Sequence, residues 1–232
     1  MSFFISTRQR TDQEEMMDDF SIGGDLLRDT LDKLENINRW LGGNKVTIKG
    51  LEKILQNHPK EQEITIIDIG CGHGDILRDV AKFGRKQHYK FNLIGVDANP
   101  TAIAYANELS LKYPELSFKT QDIFSNEFKR SQFDVVLATL FLHHFKEDQL
   151  VSFLETTSKQ AKIGVVVNDL HRHKMAYYLF KLLSVFIANK MIVNDGLISV
   201  LRGFKRKELV TISKKINIQP QISWKWAFRF LW

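Results

Sequence analysis

The stretch "TIIDIGCGHGDILRDV", residues 65–80, decides how the chain is read. Isoleucines around a single acid, Asp68, form a short apolar run that suits a buried strand. Gly70, Gly72 and Gly74 follow at alternate positions, and an amphipathic run opens at Asp75. A strand that turns into a helix through glycines lets backbone approach a ligand without Cβ interference. It also aims helix N-terminal N–H groups at that ligand. A dinucleotide fingerprint needs G-x-G-x-x-G, and here Asp75 stands where its last glycine would be. Asp68 also adds negative charge where a pyrophosphate would have to bind, whereas a ligand carrying an ammonium would be drawn to it.

Outward from that turn, strand and helix signals alternate with short connections, which indicates βαβ units around a parallel sheet. "EITIIDIG" is expected as a buried strand and "DILRDVAKFGR" as its crossover helix. "YKFNLIGVDANP" supplies the second strand, with Asn99 and Pro100 as cap and first-turn residue of a helix that Pro114 ends. "LSFKTQDIF", "FDVVLATLFLHH" and "KIGVVVNDLHRH" are expected as the third, fourth and fifth strands, with "EDQLVSFLETTSKQA" as helix before the fifth. In "INIQPQISWKWAFRFLW", Ile218, Pro220, Ile222 and Trp224 alternate with polar residues, as in an antiparallel hairpin at a sheet edge. The fold expected is α/β: a Rossmann-like, mostly parallel seven-stranded sheet with helices on both faces and an antiparallel C-terminal edge hairpin.

Before the sheet, "DLLRDTLDKLENINRWLGG" places Leu27, Leu31, Leu34, Ile37 or Asn38, and Leu41 on one helical stripe ended by Gly42 and Gly43. A shorter helix is expected from Thr47 to Pro59. Residues 1–60 are therefore expected as an N-terminal helical cap, and 61–232 as the main domain with an apolar helical insertion around 173–202. Within that insertion, Met175–Val193 is apolar but carries Lys181, Asn189 and Lys190, so a buried or lid helix is favoured over a membrane span. If Phe180, Phe186, Tyr177 and Tyr178 face inward they line a greasy pocket; ordinary core is the plainer reading.

At 232 residues and 44% hydrophobic content the composition is that of a packed globular domain. A single cysteine, Cys71, excludes an internal disulfide framework and any cysteine-based zinc spacing. The polar, acidic N-terminus has no signal-peptide pattern, so a cytoplasmic location is expected. Net charge is +6, with basic residues concentrated in "LRGFKRKEL" and "SKKIN". A solvated helix face is the plain reading of those runs. Contact with a peripheral membrane or a carrier protein is the functional one, and nucleic acid is disfavoured because aromatic interleaving is lacking.

"DIGCGHG" resembles the glycine motif of class I S-adenosylmethionine-dependent methyltransferases, and the acids that follow match it residue by residue. The resemblance implies S-adenosyl-L-methionine as cofactor, held by Asp68, Gly70, Cys71, Gly72 and Gly74. Asp97, with Ala98 beside it, would accept from the ribose hydroxyls. Asp122 would receive the adenine amino group, Ile123 would offer backbone to the ring, and Leu140 backbone to the methionine side. Cys71 suits a small residue packed under the cofactor better than a nucleophile. The pieces "EEMMDD" and "LDKLENINRWLGG" resemble a narrower bacterial branch, methyltransferases associated with type III polyketide synthases and related to quinone-biosynthesis enzymes.

Histidines at the ends of the fourth and fifth strands reach the rim where open parallel sheets bind ligands. His144 and His171, and then His143, are the candidates for a base that takes a proton from a phenol or enol; His173 shares the second cluster. Lining the cofactor is the alternative role. Asp169 could orient a histidine or the substrate, or cap a helix. No metal is expected, since no ligand set at helical spacing is present. The function expected is methyl transfer, most readily at oxygen, to a small hydrophobic aromatic, quinone-like or polyketide-like substrate. A cofactor-binding module without catalysis, or a methyltransferase of a macromolecule at ribose or protein, is the alternative. "ATLFLHH" lacks the N-P-P-Y-like turn usual in enzymes that methylate base amines.

Overall fold

The computed structural model describes residues 5–232. Two helices come first, α1 (Gly24–Trp40) and α2 (Gly43–Leu55), followed by β1 (Glu63–Ile69), α3 (Asp75–Gln87), β2 (Lys90–Asp97) and α4 (Pro100–Leu109). Next are β3 (Leu116–Thr120), α5 (Asn126–Arg130), β4 (Phe133–Thr139), α6 (Glu147–Gln160) and β5 (Ala161–Leu170). The chain then runs through α7 (Lys174–Leu183), α8 (Lys190–Arg202) and α9 (Arg206–Lys215) to β6 (Ser223–Lys225) and β7 (Arg229–Leu231). The sheet has the order β3-β2-β1-β4-β5-β7-β6, parallel except at β7, which is antiparallel to both β5 and β6. This is the α/β class expected.

Strand alternation explains why both faces are covered. Ile67 and Ile69 of β1, Val136 of β4 and Val167 of β5 enter one core with Phe153 of α6 and Leu209 of α9. Ile64 and Ile66 of β1, Leu137 of β4 and Val166 of β5 enter the other, with Leu51 of α2 and Leu77 of α3. Strands apolar on both faces belong inside a three-layer sandwich. From β1 the chain winds toward β2 and β3, then returns to β4 on the other side, so the strand order reverses beside β1. The crevice beyond the carboxyl ends of β1, β2 and β4 is where such a sheet accepts a ligand.

Several local expectations are corrected. α2 begins at Gly43, because Gly42 adopts φ +72° and reverses the chain within two residues of α1. α4 ends at Leu109, ahead of Pro114, in a turn where Ser110 N donates to Asn107 O. The terminal strands are only three residues each and exclude Ile218 and Pro220. A turn at Ser184–Phe186 and a cap at Asn189, whose side chain accepts from Ile192 N, cut the 175–193 run into separate helices. Among the described residues no helix is long and apolar enough to cross a membrane.

α2 is fastened to the sheet. Leu51 and Leu55 are fully buried, and a Cβ on Gly50 would meet Val166 and Leu231 at 2.6 and 2.7 Å. Leu51→Ala should therefore cost about 2–5 kcal/mol of unfolding free energy in urea denaturation, within the main transition. A loss below about 1 kcal/mol would mean that α2 is a detachable cover.

Candidate functional site

The turn after β1 is built from left-handed backbone: Gly70, Gly72 and Gly74 have φ of +69°, +52° and +79°. L-residues adopt such angles rarely. A Cβ on Gly70 would also run into the Phe141 ring, and one on Gly74 into the Phe118 ring at 2.6 Å. Gly72 faces open space apart from Leu31, so its side of the turn is free for a ligand. Gly70 N and Cys71 N both donate to Val96 O, while Gly72 N donates to Asp97 Oδ2 at 2.9 Å. Asn99 N donates to Asp97 Oδ1, also at 2.9 Å, so that one carboxylate joins the glycine turn to the end of β2.

A cavity of about 710 Å³ opens on this turn. Of the residues singled out in the sequence, Asp68, Gly70, Cys71, Gly72, Asp97, Ala98, Asp122, Ile123, Leu140, His143 and His144 line it. Gly74 does not, since its place is taken up in packing against Phe118 and in capping α3. His171 also lies outside: its Nδ1 accepts from the Trp224 indole at 3.2 Å, and its ring packs on Phe230 of the terminal hairpin. Burial, and then the neighbouring positive charges, push its imidazole down to about 4. Phe180 lines the cavity, whereas Tyr177, Tyr178 and Phe186 do not. Helical periodicity turns Ala176 and Phe180 inward and Phe186 to solvent.

The cradle is electrostatically unbalanced. Asp68 is buried and its Oδ1 has no hydrogen-bond partner among the described residues. Burial, and then the charges of Asp75 and Asp97, push its carboxyl well above the usual range. Asp75 and Asp97 are raised for the same first reason. Carboxylates so placed favour a ligand that brings positive charge. The unpartnered Asp68 oxygen and the open side of Gly72 thus fit S-adenosylmethionine, and they disfavour a pyrophosphate. Burial, followed by Asp97 and Asp68, also pushes the Cys71 thiol far up, which keeps it protonated and unsuited to act as a nucleophile.

Leu140 follows β4 with φ +52°, a strained angle for a branched side chain, and its N–H donates to Asn168 O. The turn at Leu142–His144 then brings both histidines to the cavity. His143 Nδ1 lies 2.7 Å from Asp169 Oδ1, and His143 N donates to Asp169 Oδ2. Burial alone would raise the Asp169 carboxyl, but the charge and hydrogen bond of His143 hold it below its ordinary value. His144 Nδ1 lies 2.6 Å from Asp18 Oδ1, and Arg202 Nη1 reaches Asp18 Oδ2 at 2.5 Å. Against the upward pull of burial, these partners hold Asp18 far below the carboxylate range.

The sequence reading missed the source of Asp18 and Glu15. The segment before α1 is tied across the site by Arg10, which donates to His143 O at 2.6 Å. Met16 N and Met17 N, in turn, donate to the Asp195 carboxylate at 2.8 and 3.0 Å. This delivers Glu15 Oε1 to within 3.6 Å of His143 Nε2. "EEMMDD" was a visible motif, but only tertiary contact gives it a role. His73, inside the glycine turn, was missed too: its Nε2 meets Glu35 of α1 at 2.9 Å, pulling α1 down onto the cavity. The α1 stripe Leu27, Leu31, Leu34, Ile37, Asn38 and Leu41 faces into that cavity. Glu15, His143 and His144 bring donor atoms within 4.8 Å of one another, close enough to share a metal ion. The Arg202 guanidinium, 3.5 Å from Glu15, already supplies positive charge there.

The comparisons agree with this architecture. Residues 60–177 match the model of a methyltransferase domain family, and the chain belongs to it. That membership bears out the expected class I S-adenosylmethionine-dependent methyltransferase. A ubiquinone biosynthesis O-methyltransferase of Rickettsia bellii is 28% identical over 135 residues, covering 56% of this chain and 51% of the relative. The chain thus spans about half the length of the curated relatives it matches. Among solved structures, the plantazolicin methyltransferase BpumL in complex with SAH has a TM-score of 0.60 at 19% identity, covering 85% of this chain and 72% of that one. The magnesium protoporphyrin IX methyltransferase of Synechocystis PCC 6803, with bound SAH, has a TM-score of 0.54 at 14% identity, covering 83% and 82%. At these identities the structures establish a shared fold.

Hydrogen bonds to a charged group are worth about 1.5–3 kcal/mol each. Asp97→Ala should therefore raise the Kd for S-adenosylhomocysteine roughly ten- to hundred-fold in calorimetric titration; unchanged affinity would remove Asp97 from the site. Glu15 supplies a test by pH. Burial first, against the opposing charges of His144 and Arg202, pushes its carboxyl from 4.5 up to about 7. Between those values the folded protein keeps a proton that the unfolded chain releases, so this group's contribution to stability falls as pH rises from 4.5 to about 7 and is flat above. Glu15→Gln should thus match the wild type in thermal unfolding near about pH 5 and exceed it near about pH 8. Equal differences at both would contradict a buried, proton-retaining Glu15.

Proposed function

We propose that this protein transfers the methyl group of S-adenosylmethionine to an oxygen of a small hydrophobic substrate of aromatic, quinone-like or polyketide-like chemistry. The observation that carries the reading is the coexistence, in one cavity, of an unbalanced acidic cradle, a histidine pair and an apolar wall. In this reading Asp97 accepts from the ribose hydroxyls, Asp122 from the adenine amino group, and Ile123 and Leu140 offer backbone. Asp68 faces the cationic part of the ligand and Cys71 packs beneath it. When bound, S-adenosylmethionine supplies a methyl group already activated by its sulfonium.

The chain's own task is then to hold the acceptor and take up its proton. Ile22, Leu27, Phe141, Phe180 and Val200 offer apolar surface to a substrate ring. His144 is the base. With Nδ1 on Asp18, its Nε2 has no hydrogen-bond partner among the described residues and can accept from a substrate hydroxyl. Asp18, fixed by Arg202, then stabilises the imidazolium. His143, oriented by Asp169, stands beside it with ring centroids 4.3 Å apart. An oxygen acceptor is supported by the Rickettsia bellii relative, a ubiquinone biosynthesis O-methyltransferase. Of the expected 1–60 cap, we assign α1 and the arm before it to covering the site.

Positioning can supply about 7–11 kcal/mol and a base a factor of roughly 10²–10⁴. With a panel of quinols and polyketide phenols, His144→Ala should lower kcat by about 10²–10⁴ and leave S-adenosylhomocysteine binding intact. His171→Ala should turn over like the wild type. Equal losses in the two variants would overturn His144 as base, and a bound cofactor that no acceptor consumes would favour a binding module.

A further inference from the structure

α7 carries large side chains on both its inner and its outer side, and on the outer side the Tyr178 hydroxyl accepts from Ile5 N at 3.3 Å. Ala176 and Phe180 point inward, and a Cβ on Gly196 of α8 would strike the Phe180 ring, so the helix closes tightly over the cavity. On the outer side Met175, Leu179 and Leu182 follow at helical spacing, and the next turn continues the stripe with Val185 and Phe186. Leu182 is 64% exposed and Phe186 85%. Leaving such large side chains in water forfeits about 1.5–3 kcal/mol apiece relative to burial. Clustered exposure on this scale marks an interaction surface.

The charges around the stripe select its partner. Lys174, Lys181 and Lys190 are exposed along the same segment, and no Asp or Glu occurs between residues 170 and 194. A second copy of the chain would have to set these lysines against their own kind, and lysine is depleted from protein interfaces. An anionic lipid surface is complementary on both counts, accepting the apolar side chains below the headgroups and the ammonium groups among the phosphates. A ten-residue helix is too short to cross a bilayer but long enough to lie in its interface.

We propose that the outer face of α7 and the turn after it dock peripherally on an anionic membrane. The inner face of the same helix walls the cavity, so the docked protein holds its site against the lipid, where a hydrophobic substrate would partition. The docking itself does not depend on the methyl-transfer reading.

Vesicle co-sedimentation of the full chain tests the proposal. The protein should pellet with phosphatidylcholine vesicles containing phosphatidylglycerol, and added salt or pure phosphatidylcholine should release it. Leu182→Asp with Phe186→Asp should abolish pelleting. Lys174→Gln, Lys181→Gln and Lys190→Gln should each weaken it on the order of five-fold. All of these variants should keep wild-type melting and S-adenosylhomocysteine affinity, which separates lost docking from lost folding. No pelleting with anionic vesicles, equal pelleting on neutral ones, or a dimer in sedimentation velocity that the Leu182 and Phe186 changes dissociate would overturn it.

Discussion

The Asp97 carboxylate stands between two backbone N–H groups, one from Gly72 in the turn after β1 and one from Asn99 ahead of α4. Each oxygen accepts one of them, which fixes the carboxylate where the ends of β1 and β2 meet. The consequences spread from there. Gly72 must hold a left-handed angle to present its N–H, and the aromatic rings of Phe141 and Phe118 press on the glycines at either side of it. Asp68, carried to the same place by β1, is left buried with an oxygen that nothing in the described chain satisfies. A buried carboxyl of this kind either holds a proton or has its charge neutralised by a cationic ligand.

The opposite wall is organised by histidines and an arginine set against acidic side chains. Asp169, His143 and Glu15 form one chain of contacts, and His144, Asp18 and Arg202 another. Arg10 and Asp195 hold the N-terminal segment in place over them. His143 therefore has a carboxylate at each ring nitrogen, whereas His144 commits only Nδ1, an arrangement that fixes its tautomer. The Glu35–His73 contact similarly clamps α1, so the cover of the cavity is tied both to the glycine turn and to the histidine side.

What was legible in the sequence was whatever is decided locally. Short apolar runs and the glycine turn fix the sheet and its ligand edge, and Asn99 caps α4 with bonds from Thr101 N and Ala102 N as its residue type demands. The acids at strand ends were legible for the same reason, since the position of a residue along a strand determines where it emerges. The histidines were only half legible: β4 and β5 are neighbours, yet His171 turns into the aromatic hairpin packed on β5, a contact made by residues far along the chain. Glu15, Asp18 and Glu35 were illegible because their partners lie dozens of residues away or more. The apolar run of α7 misleads in another manner, since hydrophobicity alone does not tell a buried face from one waiting for a partner.

The central claim is that the cleft at the ends of β1 and β2 is electrostatically matched to a cationic nucleoside. Its most direct measurement is a paired calorimetric titration of the wild-type chain with S-adenosylmethionine and with NAD. Saturable, stoichiometric binding of S-adenosylmethionine with no heat from NAD is the result the acidic cradle requires. Binding of NAD, or of neither, would contradict it.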